Sequence, residues 1–381
     1  MPFSSATKSR AALTAGLCVC VVLALSGCAS IQQTAKKIWP WDKEEDQTSL
    51  EVASDETRLG EELVVPELEP LPVLPETSEM LVYWETIRGG FSGPDSRAMS
   101  VADMITGGDY IELINPIAIS VREQYLYIVD EGLGLVLRYD KTTARMDRIV
   151  ELHGVTAGEP ADIYVAKDFS FYVADTFGSR VLHFSPKGRL LRTFQNKLNL
   201  ARPVAIAQDS ATGNILVADA HFDHVLVFTE PGELIGAVGG RGQEPGQFLN
   251  ITTMAVGPDG FYVGARVGQH VQVLSGNGDY LYSLDQMGVV FPFAMAVDEN
   301  FHVFLGDYID NSIKVYTRGK FLSSIGRTGV GPGQFKRITD LWVGGEFLYV
   351  ADSLNGRIQV LRVVEPAPLL PVSAQQEQPT Q

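Results

Sequence analysis

The chain repeats a strand-like pattern six times, and this repeat limits the possible fold more than any other feature. Each copy is a β-branched or aromatic run, and the six runs end at Asp130, Asp175, Asp219, Ala265, Asp307 and Asp352. Successive ends lie 45, 44, 46, 42 and 45 residues apart, and a second short apolar run starts six residues after each end. Such runs between Gly-rich turns indicate strands. A period of this length predicts one four-stranded propeller blade per repeat.

The last repeat lacks a fourth strand. After the run that begins at Ile358, the chain reaches Pro366 with no further strand-like segment, and this would leave an open sheet edge. The segment Met-Leu-Val-Tyr-Trp-Glu at 80–85 has the required strand character. We therefore predict an all-β, six-bladed β-propeller over residues 80–364, with four-stranded blades and a ring closed by this N-terminal strand. A short helix is expected at 101–106.

These repeats resemble the NHL family. The pattern Tyr-Val-Ala-Asp followed by Asn-Gly-Arg-Ile-Gln-Val is clearest between Tyr349 and Val360. The Gly-rich connectors that begin at Gly239 and Gly326 and end in Pro-Gly-Gln-Phe resemble the segments between NHL blades. The resemblance covers roughly residues 112–364 and implies a six-bladed, NHL-type propeller. It implies no single function, since such propellers include binding domains, sensor domains and a few lyases.

The N-terminus has the parts of an export signal in order. Lys8 and Arg10 precede an apolar stretch from Ala11 to Leu25, which is shorter than the ~20 residues a spanning helix needs. The following Ser-Gly-Cys resembles the lipobox of bacterial lipoproteins, which implies that the thiol of Cys28 is acylated, for example with palmitate. The alternative is a plain signal peptide with an incidental cysteine. We predict a signal peptide at 1–27 and a lipid-anchored protein of the bacterial cell envelope.

The segments that flank the repeats predict a tether and a tail. Residues 28–79 carry acidic runs and many prolines, a composition typical of an extended, disordered tether, and 365–381 predict a disordered tail. Ala29 and Ser30 follow the lipidated cysteine, where an aspartate would resemble an inner-membrane retention signal. The outer membrane is therefore favoured if the organism has two membranes.

Charge and cysteine content restrict the partners. The net charge is −16, and loss of Lys8 and Arg10 with the signal makes it −18, because −16 − 2 = −18. Such a chain repels phosphate backbones, so nucleic acid is excluded as a partner. Membrane contact would rest on the acyl chains alone. Cys18 and Cys20 lie in the signal, so the mature chain can form no internal disulfide.

Two acidic residues break the pattern of the innermost strands. The six blades carry, at one equivalent position, Ala118, Asp162, Ala205, Thr253, Ala294 and Asp340. Small residues suit the crowded propeller axis, so Asp162 and Asp340 are candidate ligand-binding residues that could hold a channel cation or a basic group. The alternative is that they bind backbone N–H groups or water.

The residues give no convergent catalytic set. An aspartate repeated at five strand ends indicates a structural role, in which it accepts N–H bonds of the following turn. His224 and His270 occupy a position where other blades carry arginine, and the six histidines do not gather three ligands on one surface. We expect no catalytic residues, no metal ligands and no cofactor other than the lipid on Cys28.

The anchor and tether favour an interaction or scaffold module whose partner is another exported or envelope protein. We expect one rim of the propeller to bind it, where the loops at 220–223 and 308–311 emerge side by side. Phe222, Tyr308 and Ile309 are the candidate partner-binding residues. The alternative is that these side chains pack between neighbouring loops. A second function class is a metal-dependent lyase or lactonase that uses the central channel.

Overall fold

The computed structural model describes residues 80–92, 110–158, 160–268, 270–286 and 288–364, all within one of the two compact units of the chain, Val73–Gln381. The predicted signal peptide, Cys28, the tether, the helix at 101–106 and the tail lie outside the described residues. Within the described ranges, no helix is long and apolar enough to cross a membrane.

Twenty-six strands make up the described structure. Three precede the first repeat: β1 (Leu81–Ile87), β2 (Gly89–Phe91) and β3 (Tyr110–Glu112). The strands of the first blade are β4 (Pro116–Arg122), β5 (Tyr125–Asp130), β6 (Leu135–Asp140) and β7 (Arg145–Glu151). Those of the second are β8 (Pro160–Val165), β9 (Phe171–Asp175), β10 (Arg180–Phe184) and β11 (Leu190–Gln195).

The remaining blades follow the same order. Blade 3 has β12 (Pro203–Gln208), β13 (Ile215–Asp219), β14 (His224–Phe228) and β15 (Leu234–Gly239). Blade 4 has β16 (Leu249–Gly257), β17 (Gly260–Val267), β18 (Val271–Leu274) and β19 (Tyr280–Ser283). Blade 5 has β20 (Pro292–Val297), β21 (His302–Asp307), β22 (Ser312–Thr317) and β23 (Lys320–Ile325). Blade 6 has β24 (Ile338–Gly344), β25 (Phe347–Asp352) and β26 (Arg357–Val363), with a 3₁₀ turn at Ser353–Asn355.

The ring closes as the sequence predicts. The innermost strands contact one another in the cyclic order β4, β8, β12, β16, β20, β24 and again β4. β1 pairs antiparallel with β26, with Leu81 opposite Val363 and Ile87 opposite Ile358, so it supplies the fourth strand of blade 6. The prediction of an all-β, six-bladed propeller closed by an N-terminal strand is confirmed.

The first blade is wider than its repeat predicts. β2 adds parallel to the outer strand β7, and β3 then pairs antiparallel with β2, which gives a six-stranded sheet. β2 and β3 therefore cover the outer edge of blade 1.

The hydrophobic core consists of layers between blades. Each of the six buried clusters combines side chains of two neighbouring blades, and the cluster at the closure joins Ile119 and Leu126 of blade 1 to Tyr349 and Ile358 of blade 6. Second strands such as β13 are buried along their whole length because a blade packs against each face, whereas the outer strand β15 is largely exposed. The second strands are therefore apolar on both faces, as the repeated runs show.

The antiparallel order defines two faces. We call "connector face" the side that carries the links between blades and the turns between second and third strands. We call "hairpin face" the side that carries the turns from first to second and from third to fourth strands. Both described chain ends lie at the hairpin face of blade 6, where the Val364 N–H donates to the Met80 carbonyl over 2.8 Å.

The two Gly-rich connectors hold a phenylalanine between blades. Phe248 and Phe335 are buried in inter-blade clusters. Gly239 and Gly326 have φ of 82° and 94°, in the left-handed region that favours glycine. A Cβ on either residue would also lie within 2.7 Å of the phenylalanine ring, so both the backbone conformation and the close packing require glycine. Each connector joins an outer strand to the next blade rather than to a helix, so it is not a phosphate-binding loop.

Candidate functional site

The repeated aspartates have a structural role. Asp219 is fully buried, and its Oδ1 accepts N–H bonds from His221 and Phe222 in the following turn. Its Oδ2 accepts from Ala201 and Arg202 in the connector that enters the same blade. The equivalent aspartates also bind entering connectors. The sequence predicted the bonds to the turn but not those to the connector.

Blade 4 replaces this contact with one from its neighbour. Ala265 stands at the repeat position there, and the N–H of Ile251 would have no aspartate beside it. Asp223, a buried residue of blade 3, accepts that N–H at 3.2 Å and lies 3.2 Å from the Arg241 guanidinium. A different carboxylate therefore fixes the entry to blade 4.

Asp162 and Asp340 link neighbouring blades at the channel. Asp162 Oδ2 accepts the Ile206 N–H of blade 3 at 2.6 Å, and its Oδ1 accepts the Ile163 N–H at 2.7 Å. Asp340 repeats the arrangement at the closure, with bonds from Ile119 of blade 1 at 2.7 Å and from Leu341 at 2.8 Å. The backbone-binding role that the sequence left open is thus present in both residues.

The same two residues lie on the wall of a central cavity of about 390 Å³. Its lining extends from the two aspartates to Pro258 and Glu299, in turns of the hairpin face. The wall between them is mostly apolar and includes Tyr164, Met254, Met295 and Trp342. The structure therefore places Asp162 and Asp340 in one site, although the two residues lie 178 positions apart in the sequence (340 − 162).

Burial raises the pKa of both carboxyl groups. The pKa of Asp162 rises to about 7, because desolvation exceeds the opposing effect of its two backbone hydrogen bonds. The pKa of Asp340 is raised well above 3.8, first by burial and then by the charge of Asp162. Since the charge of Asp162 disfavours ionisation of Asp340, a cation beside the two groups would stabilise their ionised forms.

The histidines are dispersed. His224 Nε2 lies 2.7 Å from the Asn199 carbonyl oxygen, and His302 Nδ1 lies 2.8 Å from Asp298. His183 is buried in blade 2, stacked on Tyr172 with ring centroids 4.1 Å apart. In the ranges that the structure describes, no three His, Cys, Asp or Glu side chains lie close enough to hold a metal ion.

The three predicted partner-binding residues all lie on the connector face but not side by side, since blade 4 separates their loops. Phe222 is half-buried between His221 and His224. Tyr308 is half-buried against Phe291 and Phe293, as the packing alternative has it. Ile309 is 58% exposed.

Exposed apolar side chains are concentrated on this face. Eight large ones stand in its connectors, turns or strand ends: Ile114, Phe177, Leu198, Val267, Val290, Ile309, Val330 and Leu354. None of the described turns of the hairpin face has one; the others lie on outer strands, β3 or the chain end at Val364. Sequence reasoning found only Ile309 of these eight, because the other loops are apolar at single positions that do not repeat.

Two arginines, exposed Arg266 and half-buried Arg337, flank the aromatic cluster of Tyr308, Phe291 and Phe293. The Arg337 guanidinium lies 5.2 Å from the Tyr308 ring centroid, and that of Arg266 lies 5.0 Å from the Phe291 centroid. Both distances are within the range of cation–π contacts. The connector face thus combines apolar anchors with cations, which is a composition typical of protein-binding surfaces.

The chain is thus a six-bladed β-propeller whose blades correspond to sequence repeats. A protein-family model described as "LVIVD repeat" matches two segments of this chain, residues 117–137 and 337–358. These segments cover the first and second strands of blades 1 and 6 and the start of their third strands. No curated protein matches the chain.

Solved structures resemble the fold at low identity. A streptogramin B lyase aligns with a TM-score of 0.52 at 13% identity, over 67% of this chain and 95% of that one. A catalytically inactive virginiamycin B lyase from Staphylococcus aureus with quinupristin gives 0.51 at 12%, over 66% and 95%. A protein of unknown function from Bacteroides thetaiotaomicron gives 0.51 at 15%, over 66% and 70%. At these identities the likeness shows the propeller fold alone.

Proposed function

We propose that this protein is a lipid-anchored, non-catalytic propeller that binds another exported protein through its connector face. The observation that carries the proposal is the uneven distribution of exposed apolar side chains. Eight stand in connectors, turns or strand ends of the connector face, against Leu190, Tyr280 and Val364 at the strand and chain ends of the hairpin face. Folding alone does not require large apolar groups in solvent on one face and none in the turns of the other. Each of the six blades, taken with the connector that enters it, contributes at least one.

The position of the chain ends supports this choice of face. The chain enters the domain at Met80 and leaves it at Val364, both at the hairpin face. A tether that ends at residue 79 would therefore join the domain on the side away from the connector face. We further propose that Cys28 is acylated and anchors the protein in a membrane. If the organism has two membranes, this is the outer one.

Site-specific photo-cross-linking in intact cells tests the docking face. A benzophenone side chain at Ile309 should give a defined cross-linked product, and Ile309→Ser with Leu354→Ser should reduce co-purification of the same partner. Ile235 is 56% exposed on the outer strand β15 and serves as the matched control. Equal products from positions 309 and 235, or none from 309, would contradict the proposal.

The anchor is tested separately. Cys28→Ser should move the protein from the membrane to the soluble fraction and abolish labelling by radioactive palmitate, while Cys18→Ser should change neither. If the Cys28→Ser protein remains with the membrane and keeps its label, the lipid anchor is wrong even where the docking face is right.

An enzymatic role in the channel is the second candidate. It is favoured by one observation, a cavity lined by two carboxyl groups with raised pKa, and it requires a metal with an acid or base in hydrogen-bond reach. Metal analysis of the purified protein discriminates the two functions, because stoichiometric metal that is lost in Asp162→Asn supports the lyase or lactonase class.

A further inference from the structure

The central cavity has a one-sided electrostatic composition. Four acidic side chains line it, Asp162, Asp340, Asp298 and Glu299, and none of its described lining residues is Lys, Arg or His. Asp298 is held by His302 at 2.8 Å, which leaves the two channel aspartates and Glu299 without a basic side chain as a hydrogen-bond partner among the described residues. An anionic ligand would be repelled by this arrangement, and a neutral one would gain no charge–charge attraction from it.

The carboxyl groups keep capacity for a ligand. Each oxygen of Asp162 and Asp340 accepts one backbone N–H, and a carboxylate has about four lone-pair positions. The unused positions are available to a donor in the cavity. An ammonium group, which has several N–H donors, can use more of these positions than a single hydroxyl group can.

The walls indicate what the rest of the ligand is. The rings of Tyr164 and Trp342 lie with centroids 6.1 Å apart, and Met254 and Met295 line the same cavity. Aromatic faces attract cations, and thioethers fit irregular apolar groups. The volume of about 390 Å³ exceeds that of a bare ion and is in the range of small-molecule sites.

We infer that the central cavity binds a small organic cation, an amine on an apolar body, with its charged end at Asp162 and Asp340 and its apolar part against Tyr164, Trp342 and the two methionines. This site lies towards the hairpin face and is independent of protein docking at the connector face. Alanines on the wall, such as Ala207, Ala255 and Ala296, leave the space in which the apolar part lies.

Isothermal titration calorimetry of the full chain in detergent tests this inference, with 2-phenylethylamine as the probe and 2-phenylethanol as its neutral match. The amine should bind at least 10-fold more tightly than the alcohol. Asp340→Asn, which cannot ionise and keeps one acceptor oxygen, should weaken amine binding at least 10-fold. Ala255→Phe, which fills the cavity without changing a carboxyl group, should weaken both probes.

Several results would overturn it. Equal affinity for amine and alcohol would remove the role of charge, and unchanged amine binding in Ala255→Phe would place the amine elsewhere. Saturation by calcium chloride alone, tighter than by the amine, would make the site a metal site. If Asp340→Asn does not fold, the Ala255→Phe and alcohol comparisons still decide.

Discussion

Asp340 Oδ2 in the last blade accepts a 2.7 Å hydrogen bond from the backbone N–H of Ile119 in the first. This bond crosses the point at which the ring closes, between residues 221 positions apart in sequence. Asp162 makes the equivalent bond to Ile206 between blades 2 and 3. The two acidic exceptions in the innermost strands are therefore inter-blade links as well as cavity residues.

Loss of the closing link should destabilise the domain. Asp340→Ala leaves the N–H groups of Ile119 and Leu341 without their acceptor, and such a loss costs about 1–3 kcal/mol per buried group, partly offset by relief of repulsion with Asp162. Urea denaturation should show a lower unfolding midpoint than for the wild type. A midpoint equal to or above wild type would mean that water replaces both bonds.

The channel carboxyls should make stability depend on pH. The pKa of Asp162 is about 7 in the folded protein against 3.8 unfolded, so the folded state holds a proton that the unfolded chain has released. The free energy of unfolding should therefore fall as pH rises between these values, by up to about 1.4 kcal/mol per pH unit for one proton. Denaturation should be measured from pH 5 to 8 for the wild type and for Asp162→Asn. The unfolding free energy should fall less steeply with pH in the variant, and an equal dependence on pH in both proteins would contradict the prediction.

His183 should make the stability depend on pH in the opposite direction to Asp162. Burial lowers the pKa of His183 below 6.5, so the unfolded chain takes up a proton that the folded protein resists. Stability from this residue is present above pH 6.5 and is lost as pH falls through its folded pKa. His183→Phe, which keeps a planar ring against Tyr172, should remove that loss on acidification. Melting temperatures of the wild type and of His183→Phe, each measured at pH 7.5 and at pH 5, check this prediction. An equal drop in both proteins would contradict it.

The closing strand should be essential at its buried positions only. Leu81 is 3% exposed and Val82 is 45% exposed, although both lie in β1. Leu81→Ala should cost about 2–5 kcal/mol, as buried leucines generally do. Val82→Ala is the matched control and should cost much less, and deletion of 80–85 should destabilise the domain most. Thermal unfolding of the deletion that matched the intact chain would show that β1 does not close the ring.

Asp223 should matter as much as the repeated aspartates. Its φ of 60° is tolerated by glycine and asparagine, so Asp223→Gly removes the contacts to Ile251 and Arg241 without adding backbone strain. We expect a loss of about 1–3 kcal/mol, and a smaller one for Asp223→Asn, which retains an oxygen for the Ile251 N–H. Equal unfolding midpoints for both variants would show that the Ile251 bond contributes nothing.

The repeat made the fold predictable, because each period contains a complete blade and the missing fourth strand shows where the ring must close. It also aligned Asp162 with Asp340, since residues at one repeat position share one height along the axis. What it could not show are contacts between different repeat positions. The bond from Asp223 to Ile251 and the addition of β2 and β3 to blade 1 depend on which segments meet across blades, and neither recurs in the sequence.

The pairing of β1 with β26 also determines how the domain carries mechanical load. A pull on the chain ahead of Met80, directed along β1, acts parallel to the strands and stresses the hydrogen bonds from Leu81 to Ile87 together. Peeling from an end would instead break them one after another. A propeller held at its connector face and pulled from its N-terminal side would thus resist in shear, with the closing strand as the force-bearing element.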